Sequence, residues 1–381
     1  MRYPFIKRFL TMFGLIISFV FISTSGYCAE ISDLTKTINK IGPKGAGHAE
    51  ARMAMAELSK TDVNDVSDIL AGFDSRNKLA VNWLRAAVDT VLDKAQQQGK
   101  EMPVDALREF LAETKYDSNA RRVAYEWLIQ IKPELRQEIL TSSLNDPSLE
   151  IRREAITNAV EAAVKQKTDS PDEALKQLKS ILNSARDIDQ IDEVTQQIET
   201  LGGKVDLPTH FGFLMNWNLI GPFDNSGTKG FDVVYAPEAT VELDKALEGK
   251  SGNIKWFAHT TEDRYGLMDL NVIMPEKYKG AIAYAHTTFQ SDKEQEVDVR
   301  LGCINGNKIW INGKLITSNH VYHANTSIDQ YIARAKLNKG NNIILVKIAQ
   351  NEQEESWAQR WQFQLRICDE SGTAILAADR N

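Results

Sequence analysis

The sequence predicts a multidomain α + β protein, in which an α-helical N-terminal half precedes a C-terminal antiparallel β-sandwich of the jelly-roll type. Three observations predict this order. Residues 31–201 show helical spacing of apolar residues and are rich in Ala, Leu, Glu, Lys and Gln. After Gly202-Gly203, glycines, aromatic residues and period-two alternation become frequent. Residues 297–316 contain two Asn-Gly dipeptides, Asn305-Gly306 and Asn312-Gly313, for which we expect two-residue hairpin turns and therefore a β-meander.

Residues 1–29 have the order of regions found in a secretory signal peptide. Basic residues near Arg2 are followed by the apolar run Phe9–Ile22 and then by small polar residues up to Gly26. The apolar run has 14 residues, fewer than the ~20 that span a bilayer. We therefore expect export, to the periplasm or the extracellular space, and membrane contact only through the signal peptide. The cleavage site stays open.

Cys28 raises the question of a lipid anchor. A bacterial lipobox has a small residue just before its cysteine and an aliphatic residue three positions before it. Here Tyr27 and Ser25 occupy those positions. A lipid anchor at Cys28 is therefore disfavoured.

Charge and cysteine content limit the class of partner and the covalent structure. Removal of residues 1–29 moves the formal net charge from −7 to −10, and no dense Lys/Arg block occurs, so nucleic acid is disfavoured as a partner. Cys303 shares a strand face with Val299 and Leu301, whereas Cys368 shares one with Arg366. We expect one thiol to point inward and the other outward, which argues against a disulfide between them.

The helical half, residues 30–203, contains several copies of one theme. Segments 117–128 and 146–156 each open on Asp and contain an Arg-Arg pair followed by Ala, and segments 74–84 and 47–58 are looser copies. Asp suits a helix N-cap and Pro147 suits a first helical position. We expect the Arg-Arg pairs to be solvated and paired with Glu126, Glu150 and Glu154. The theme resembles HEAT-like repeats. The spacing of the copies is uneven, so a solenoid and a helical bundle both remain open.

In the β half, residues 208–381, the pattern predicts about ten short strands separated by turns. The sequence predicts strands at Trp217–Phe223, Ile254–Thr260, Leu267–Ile273, Ala281–Gln290, Glu296–Cys303, Lys308–Ile311, Lys314–Thr317, Gln330–Leu337, Ile343–Gln350 and Trp361–Cys368. The blocks W-N-L-I-G-P-F at 217–223, W-I-N-G-K at 310–314, L-N-K-G at 337–340 and F-Q-L-R at 363–366 resemble, in this order, the galactose-binding-like sandwich of exported bacterial proteins that also carry HEAT-like helices. The resemblance implies a binding module.

The residues do not indicate a catalytic site. Asp263 with Asp269, or the group Glu352, Glu354 and Glu355, can be nominated as glycosidase carboxylates, but their spacing is that of solvated loop acids. His320 and His323 form a weak metal pair without a third ligand. No cofactor is expected. The resemblance implies a structural Ca²⁺ and makes the acidic loop 224–232 a candidate to hold it; no ligands are assigned, and the metal site stays unknown.

Exposed aromatic rings and convergent polar groups are what sugar binding requires. The candidate ligand-binding residues are Trp310, Trp357, Trp361, Tyr265, Tyr322 and Arg360. Trp310 is either such a platform or a contact to the helical half. The favoured interpretation is a non-catalytic exported protein that engages carbohydrate or an envelope protein through its sandwich. The alternatives are a purely structural or protein-interaction module, and a glycoside hydrolase or its accessory subunit.

Overall fold

The computed structural model describes residues 30–324 and 327–380, and the backbone alone for Trp357. The predicted signal peptide and Cys28 lie outside the described residues. No helix among the described residues is both long and apolar enough to cross a membrane.

The N-terminal part is helical, as the sequence predicts. Its α-helices are α1 (Ile31–Ile38), α2 (His48–Leu58), α3 (Val66–Ala71), α4 (Lys78–Gln97), α5 (Val104–Ala112), α6 (Ser118–Ile131), α7 (Arg136–Ser142), α8 (Leu149–Gln166), α9 (Pro171–Ser184), α10 (Ile188–Thr200) and α11 (Leu207–Phe211). Backbone proximity divides the chain into two compact units, the first ending at Ala106 and the second beginning at Leu107. This division falls inside α5, well before the change from helix to strand.

Side-chain caps fix where several helices begin. The carboxylate of Asp117 accepts hydrogen bonds from the backbone N–H groups of Asn119 and Ala120, at 2.9 and 3.4 Å, and so caps α6. The Pro147 prediction is wrong by two positions, because α8 begins at Leu149. The carboxylate of Asp146 accepts from the backbone N–H of Ser148 at 2.8 Å and shapes the turn that precedes the helix.

Only one arginine of the first Arg-Arg pair is solvated as the sequence predicts. Arg122 pairs with Glu126 at 2.8 Å and with Glu154 at 3.0 Å, as expected. Arg121 instead lies buried, with its guanidinium on both carboxylate oxygens of Asp146 at 2.6 and 2.7 Å. Because successive helical positions point about 100° apart, one arginine of the pair can face the interior while its neighbour faces solvent.

The second Arg-Arg pair divides in the same way. Arg153 reaches the carboxylates of Asp187 and Asp189 at the surface. Arg152 is buried and donates to the carbonyl oxygens of Asp146 and Asn145 at 2.8 and 3.1 Å. The inward arginine of each copy therefore contacts the turn between α7 and α8.

The C-terminal part is an antiparallel β-sandwich, as predicted, with two open sheets. Its strands are β1 (Asn216–Asp224), β2 (Leu247–Gly249), β3 (Gly252–Ile254), β4 (Phe257–Thr260), β5 (Met268–Asp269), β6 (Ala281–Ser291), β7 (Gln295–Cys303), β8 (Gly306–Ile311), β9 (Lys314–Asn319), β10 (Tyr331–Leu337), β11 (Gly340–Gln350) and β12 (Gln362–Cys368). The larger sheet has the order β4-β1-β6-β11-β8-β9 and the smaller one β10-β7-β12-β5, while β2 and β3 pair with each other. Two short helices, α12 (Ala236–Ala239) and α13 (Leu270–Ile273), interrupt the strands.

One hydrophobic core fills the space between the sheets. It combines residues of the larger sheet, such as Leu219 and Val346, with residues of the smaller one, such as Val299 and Leu365. Cys303 belongs to this core, whereas Cys368 has the opposite parity on β12. The two thiols are free, as the parity argument predicts. Cys368 does point outward from this core, as the parity predicts, but its thiol is buried because the outer face of the smaller sheet is itself covered.

Only one of the two Asn-Gly dipeptides forms a hairpin turn. Asn312 and Gly313 have φ values of 51° and 77° and join β8 to β9, with Ile311 opposite Lys314. The meander prediction is wrong at Asn305-Gly306, because β7 and β8 belong to different sheets. Asn305 is buried there; its amide donates to the carbonyl oxygen of Arg360 and accepts from the backbone N–H of Gln362. The dipeptide marks a crossover between sheets.

The predicted strand Leu267–Ile273 is also wrong over most of its length. Only Met268 and Asp269 pair with β12, and α13 follows at once. The carboxylate of Asp269 accepts from the backbone N–H of Asn271 at 3.0 Å and starts this helical turn. The predicted strand Ile254–Thr260 is likewise divided between the end of β3 and β4.

Candidate functional site

A polar groove opens where β1, β4 and β6 approach α11 and the C-terminal residues. Its volume is about 500 Å³, within the ~300–1,000 Å³ that is usual for ligand sites. Most of the side chains that line it carry hydroxyl, carboxylate, amide or guanidinium groups: Asp206, Thr209, Asn216, Thr260, Thr261, Thr287, Thr288, Asp379 and Arg380. We call this region the polar groove.

Strand pairing forms one wall of the polar groove. Asn216 at the start of β1 lies opposite Thr260 at the end of β4, and the Thr260 hydroxyl donates to the Asn216 amide oxygen at 2.7 Å. Thr261 is less available to a ligand, because its hydroxyl donates to the carbonyl oxygen of Leu267 at 2.7 Å. This wall therefore combines an exposed hydroxyl–amide pair with a hydroxyl that is already satisfied.

The C-terminal residues form the opposite wall. The backbone N–H of Ala378 donates to the carbonyl oxygen of Gln290 at 2.9 Å, which fixes this segment beside β6. One guanidinium nitrogen of Arg380 donates to the carbonyl oxygen of Phe213 at 3.0 Å. Burial lowers the pKa of Arg380, although the nearby Asp206 carboxylate partly opposes this. The charged groups of this wall are thus positioned by backbone contacts.

Several polar groups in the groove have no partner within the described part of the chain. The hydroxyls of Thr287 and Thr288 and the carboxylate of Asp379 make no side-chain hydrogen bond to another described residue. Asp206 differs, because Thr209 donates to it from both side chain and backbone and lowers the pKa of its carboxyl. The open groups offer both donors and acceptors within one concave region, as a hydroxyl-rich ligand requires.

Two of the sequence-predicted candidates meet elsewhere, on the outer face of the larger sheet. Trp310 and Tyr322 both belong to a second hydrophobic cluster, together with Phe231 and Tyr284. Only 8% of the Trp310 surface is exposed. Beside its ring lies a smaller cavity of about 260 Å³, lined also by Pro237 and Val241. Trp310 therefore packs against side chains of the sandwich domain.

A segment spanning residues 225–241, which we call the cover segment, explains the burial of Trp310. The buried ammonium of Lys347 on β11 donates to the carbonyl oxygens of Phe231 and Val233 and to the Glu238 carboxylate, each at 2.8 Å. The hydroxyl of Tyr284 also donates to Glu238. Burial lowers the pKa of Lys347, while the hydrogen bond that Lys347 donates to Glu238 opposes that shift. These contacts hold the cover segment against the outer face of the sheet.

The other candidates are scattered. Trp361 is fully buried in the sandwich core and donates its indole N–H to the carbonyl oxygen of Ile348 at 3.2 Å, so it has no exposed ring face. The hydroxyl of Tyr265 donates to the Asp192 carboxylate on α10 at 2.7 Å. Arg360 is exposed beside a separate cavity of about 270 Å³. Trp357 is described only by its backbone. Trp361, Tyr265 and Arg360 do not line the polar groove.

Three of the five nominated carboxylates, those of Asp263, Asp269 and Glu352, have structural partners. Asp263 accepts from the backbone N–H groups of Tyr265 and Leu267 and shapes a turn, and Asp269 caps α13. Glu352 accepts from the backbone N–H of Gly227 at 3.0 Å. Over the residues that the structure describes, no group of three or more His, Cys, Asp or Glu side chains is arranged to hold a metal ion.

Comparison with known proteins assigns no family. No protein-family model and no curated protein sequence matches the chain. Solved structures with partial likeness include an anti-sigma factor domain-containing protein, with 12% identity over 43% of this chain and 46% of that one and a TM-score of 0.27. A beta-glucuronidase of an uncultured Clostridium species has 15% identity over 42% and 29%, with a TM-score of 0.25. A beta-glucosidase from Kluyveromyces marxianus has 8% identity over 80% and 38%, with a TM-score of 0.26.

The chain spans less than half the length of each of these three proteins. Scores of this size are too low to assign a fold or an activity. The polar groove therefore rests on its own geometry.

The sequence analysis did not identify the polar groove. Its residues come from α11, three strands and the C-terminal segment, and no two strands among them are close in sequence. One available signal was Thr287-Thr288, which interrupts an otherwise apolar run that begins at Ala281.

Proposed function

We propose that the protein is an exported, non-catalytic binding protein whose β-sandwich, galactose-binding-like in fold, holds a hydroxyl-rich ligand such as a carbohydrate in the polar groove. HEAT-like helices would act as the scaffold. The observation that carries the proposal is a set of groups in one groove of about 500 Å³ that have no hydrogen-bond partner among the described residues: the hydroxyls of Thr287 and Thr288 and the carboxylate of Asp379.

The chemistry of the groove matches a neutral polyol better than an apolar or a strongly charged ligand. Each sugar hydroxyl can donate one hydrogen bond and accept two. The carboxylate of Asp379 accepts, the guanidinium of Arg380 donates, and the threonine hydroxyls do either. The Phe213 ring in the groove wall is buried, so binding here relies on hydrogen bonds rather than on stacking.

The Asp206 carboxylate is suited to binding rather than to acid catalysis of glycoside hydrolysis. A glycosidase needs one carboxylic acid whose pKa is raised, so that it remains protonated and can donate to the leaving group. The pKa of Asp206 is shifted in the opposite direction, chiefly by the Thr209 side chain. An ionised Asp206 can accept a hydrogen bond from a ligand but cannot act as the general acid.

The experiment is a binding screen of the chain from residue 30 onward against soluble oligosaccharides and insoluble polysaccharides. The helices should be kept, because Phe211 and Phe213 form one hydrophobic cluster with Leu178 and Ile191 of α9 and α10. Thr288→Val removes an exposed hydroxyl but keeps a β-branched strand residue. Asp379→Asn removes the charge but keeps the size. We expect each variant to weaken binding roughly three- to tenfold, the usual value of a hydrogen bond to a ligand.

The matched control is Thr240→Val, an exposed threonine that lies beside the Trp310 cavity. It should leave the affinity unchanged. Equal losses in Thr288→Val and Thr240→Val, or a loss in Thr240→Val alone, would move the site to the Trp310 cavity. Release of reducing sugar during the screen, abolished by Asp379→Asn, would favour the glycoside hydrolase alternative.

The burial of Trp310 favours a structural role for this residue. We expect Trp310→Ala to lower the free energy of unfolding by ~3–5 kcal/mol, as for other buried aromatic residues, and to leave the affinity for the groove ligand unchanged. Loss of binding without loss of stability would restore the platform interpretation.

A further inference from the structure

A second, smaller cavity lies between the helices and the outer face of the smaller sheet. Its volume is about 170 Å³, and its polar lining comes from Asn183, Arg186, His210, Arg366 and Thr373. We call it the arginine pocket. The volume of the arginine pocket is below the ~300 Å³ lower limit of sites for drug-sized ligands. The pocket therefore has room for a small group and not for a whole sugar chain.

The two arginines of the pocket differ in how their charge is compensated. The charge of Arg366 is compensated by a carboxylate: its guanidinium pairs with Asp329 and also donates to the carbonyl oxygens of Phe211 and Gly372. Arg186 contacts only neutral acceptors. Its guanidinium donates to the Thr373 hydroxyl at 3.0 Å and to backbone carbonyl oxygens at 2.7 and 2.8 Å. No carboxylate of a described residue lies within ion-pair distance of Arg186.

A further arginine adds to this positive charge. Arg152 on α8 repels the charge of Arg186, and one nitrogen of its buried guanidinium has no hydrogen-bond partner among the described residues. The carboxylate of Asp369 attracts both arginines from beyond ion-pair distance, and its Oδ1 accepts from the backbone N–H groups of Ser371 and Thr373. Burial raises the pKa of the Cys368 thiol to about 11, so it is neutral at pH 7 and supplies no negative charge.

Burial and this excess of positive charge lower the pKa of His210. Its ring makes no hydrogen bond to another described residue and contacts Phe211 edge-on, with ring centroids 5.6 Å apart. Burial first, and then the charges of Arg186 and Arg366, lower the pKa of His210 to about 4. The imidazole is therefore neutral at pH 7 and can still donate one N–H to a ligand.

We infer that the arginine pocket binds a small oxyanion, such as phosphate, sulfate or the carboxylate of a small ligand, through Arg186 and His210. An oxyanion places a negative charge in direct contact with Arg186, which no carboxylate of a described residue does. Planar guanidinium groups are well suited to phosphate and carboxylate oxygens. The site is separate from the polar groove, and its occupation does not depend on sugar binding.

The test uses the chain from residue 30 onward in a chloride buffer of low ionic strength. Calorimetry measures binding of inorganic phosphate, sulfate and acetate. NMR follows the pH titration of the His210 ring, identified by its loss in His210→Gln. Arg186→Gln removes the uncompensated charge. The control is Arg76→Gln, which removes the same charge from a fully exposed side chain paired with Asp74.

We expect saturable binding of at least one of the three anions, weakened at least about tenfold by Arg186→Gln and changed less than about twofold by Arg76→Gln. A saturating anion should raise the pKa of His210 by on the order of one unit, because it offsets the repulsion from the guanidinium groups. Which anion binds most tightly distinguishes a phosphate-type from a carboxylate-type ligand.

The inference is overturned if none of the three anions binds saturably, if both arginine variants lose affinity equally, or if the His210 titration does not move at saturation. If Arg186→Gln does not fold, because it loses the bonds to the carbonyl oxygens of Asn183 and Ala185, the His210 titration of the unaltered protein decides the question. His210→Gln then supplies the affinity comparison.

Discussion

The ion pair between Arg121 and Asp146 gives the sharpest test of how the helical part is held together. Only 3% and 7% of the two side chains are exposed, and two hydrogen bonds of 2.6 and 2.7 Å join them. The same guanidinium donates twice to the carbonyl oxygen of Leu111, at 3.1 and 2.8 Å. Arg121 thus connects the end of α5, the start of α6 and the turn before α8.

The perturbation is Arg121→Met, which keeps an apolar stem and removes the guanidinium. It leaves the Asp146 carboxylate buried with only the backbone N–H of Ser148 as a donor, and it leaves the Leu111 carbonyl without its side-chain donors. Removing one member of a buried pair costs about 3–5 kcal/mol. We expect urea unfolding at pH 7 to show a loss of that size in the free energy of unfolding.

The matched control is Arg153→Met, since Arg153 pairs with Asp187 and Asp189 but has almost half of its side chain exposed. Exposed pairs contribute at most about 1 kcal/mol. The double variant Arg121→Met/Asp146→Asn should recover about 1–3 kcal/mol relative to the sum of the single variants. A cost below about 1 kcal/mol for Arg121→Met, or strict additivity in the double variant, would refute the reasoning.

Three further predictions concern the sandwich. Gly313→Ala should lower the free energy of unfolding by about 1 kcal/mol or more in urea titrations, because the turn holds Gly313 at φ 77°. Burial raises the pKa of Asp329, but the Arg366 guanidinium outweighs burial, so the net pKa is lowered. The Asp329 carboxylate therefore stabilises the fold at neutral pH, and Asp329→Asn removes this contribution. In urea titrations the difference between the two proteins should be full above about pH 5 and shrink as the pH falls below the unfolded value of ~3.9. Cys303 and Cys368 are buried, with pKa values raised by that burial to about 12 and about 11, so both thiols should react with a thiol reagent at pH 8 only after denaturation.

Much of the fold could be predicted because periodicity reports which side of an element is buried. The alternation around β6, β7, β11 and β12 located these strands to within a few residues, since each has one face in the sandwich core. The turn at Asn312-Gly313 was predictable from local chemistry alone. Asn305-Gly306 has the same two residues, but its conformation depends on which sheet receives β8. That is a tertiary choice which no local pattern records.

The burial of charged residues was the second feature that could not be predicted from the sequence. Arg121 and Lys347 look like ordinary surface residues in sequence, and their partners are 25 and 109 positions away. The cover segment that buries Trp310 is held by the Lys347–Glu238 contact, so the burial of Trp310 could not be predicted from strand alternation. The polar groove was missed for the same reason: its walls are brought together only by the fold.

We propose that the ligand binds in the polar groove and not beside Trp310. The most direct test is a crystal structure of the chain from residue 30 onward with the tightest-binding oligosaccharide from the screen. We predict sugar hydroxyls within hydrogen-bond distance of the Thr287 and Thr288 hydroxyls and the Asp379 carboxylate. A sugar seated beside Trp310 or Arg360, with the polar groove holding only water, would contradict the account.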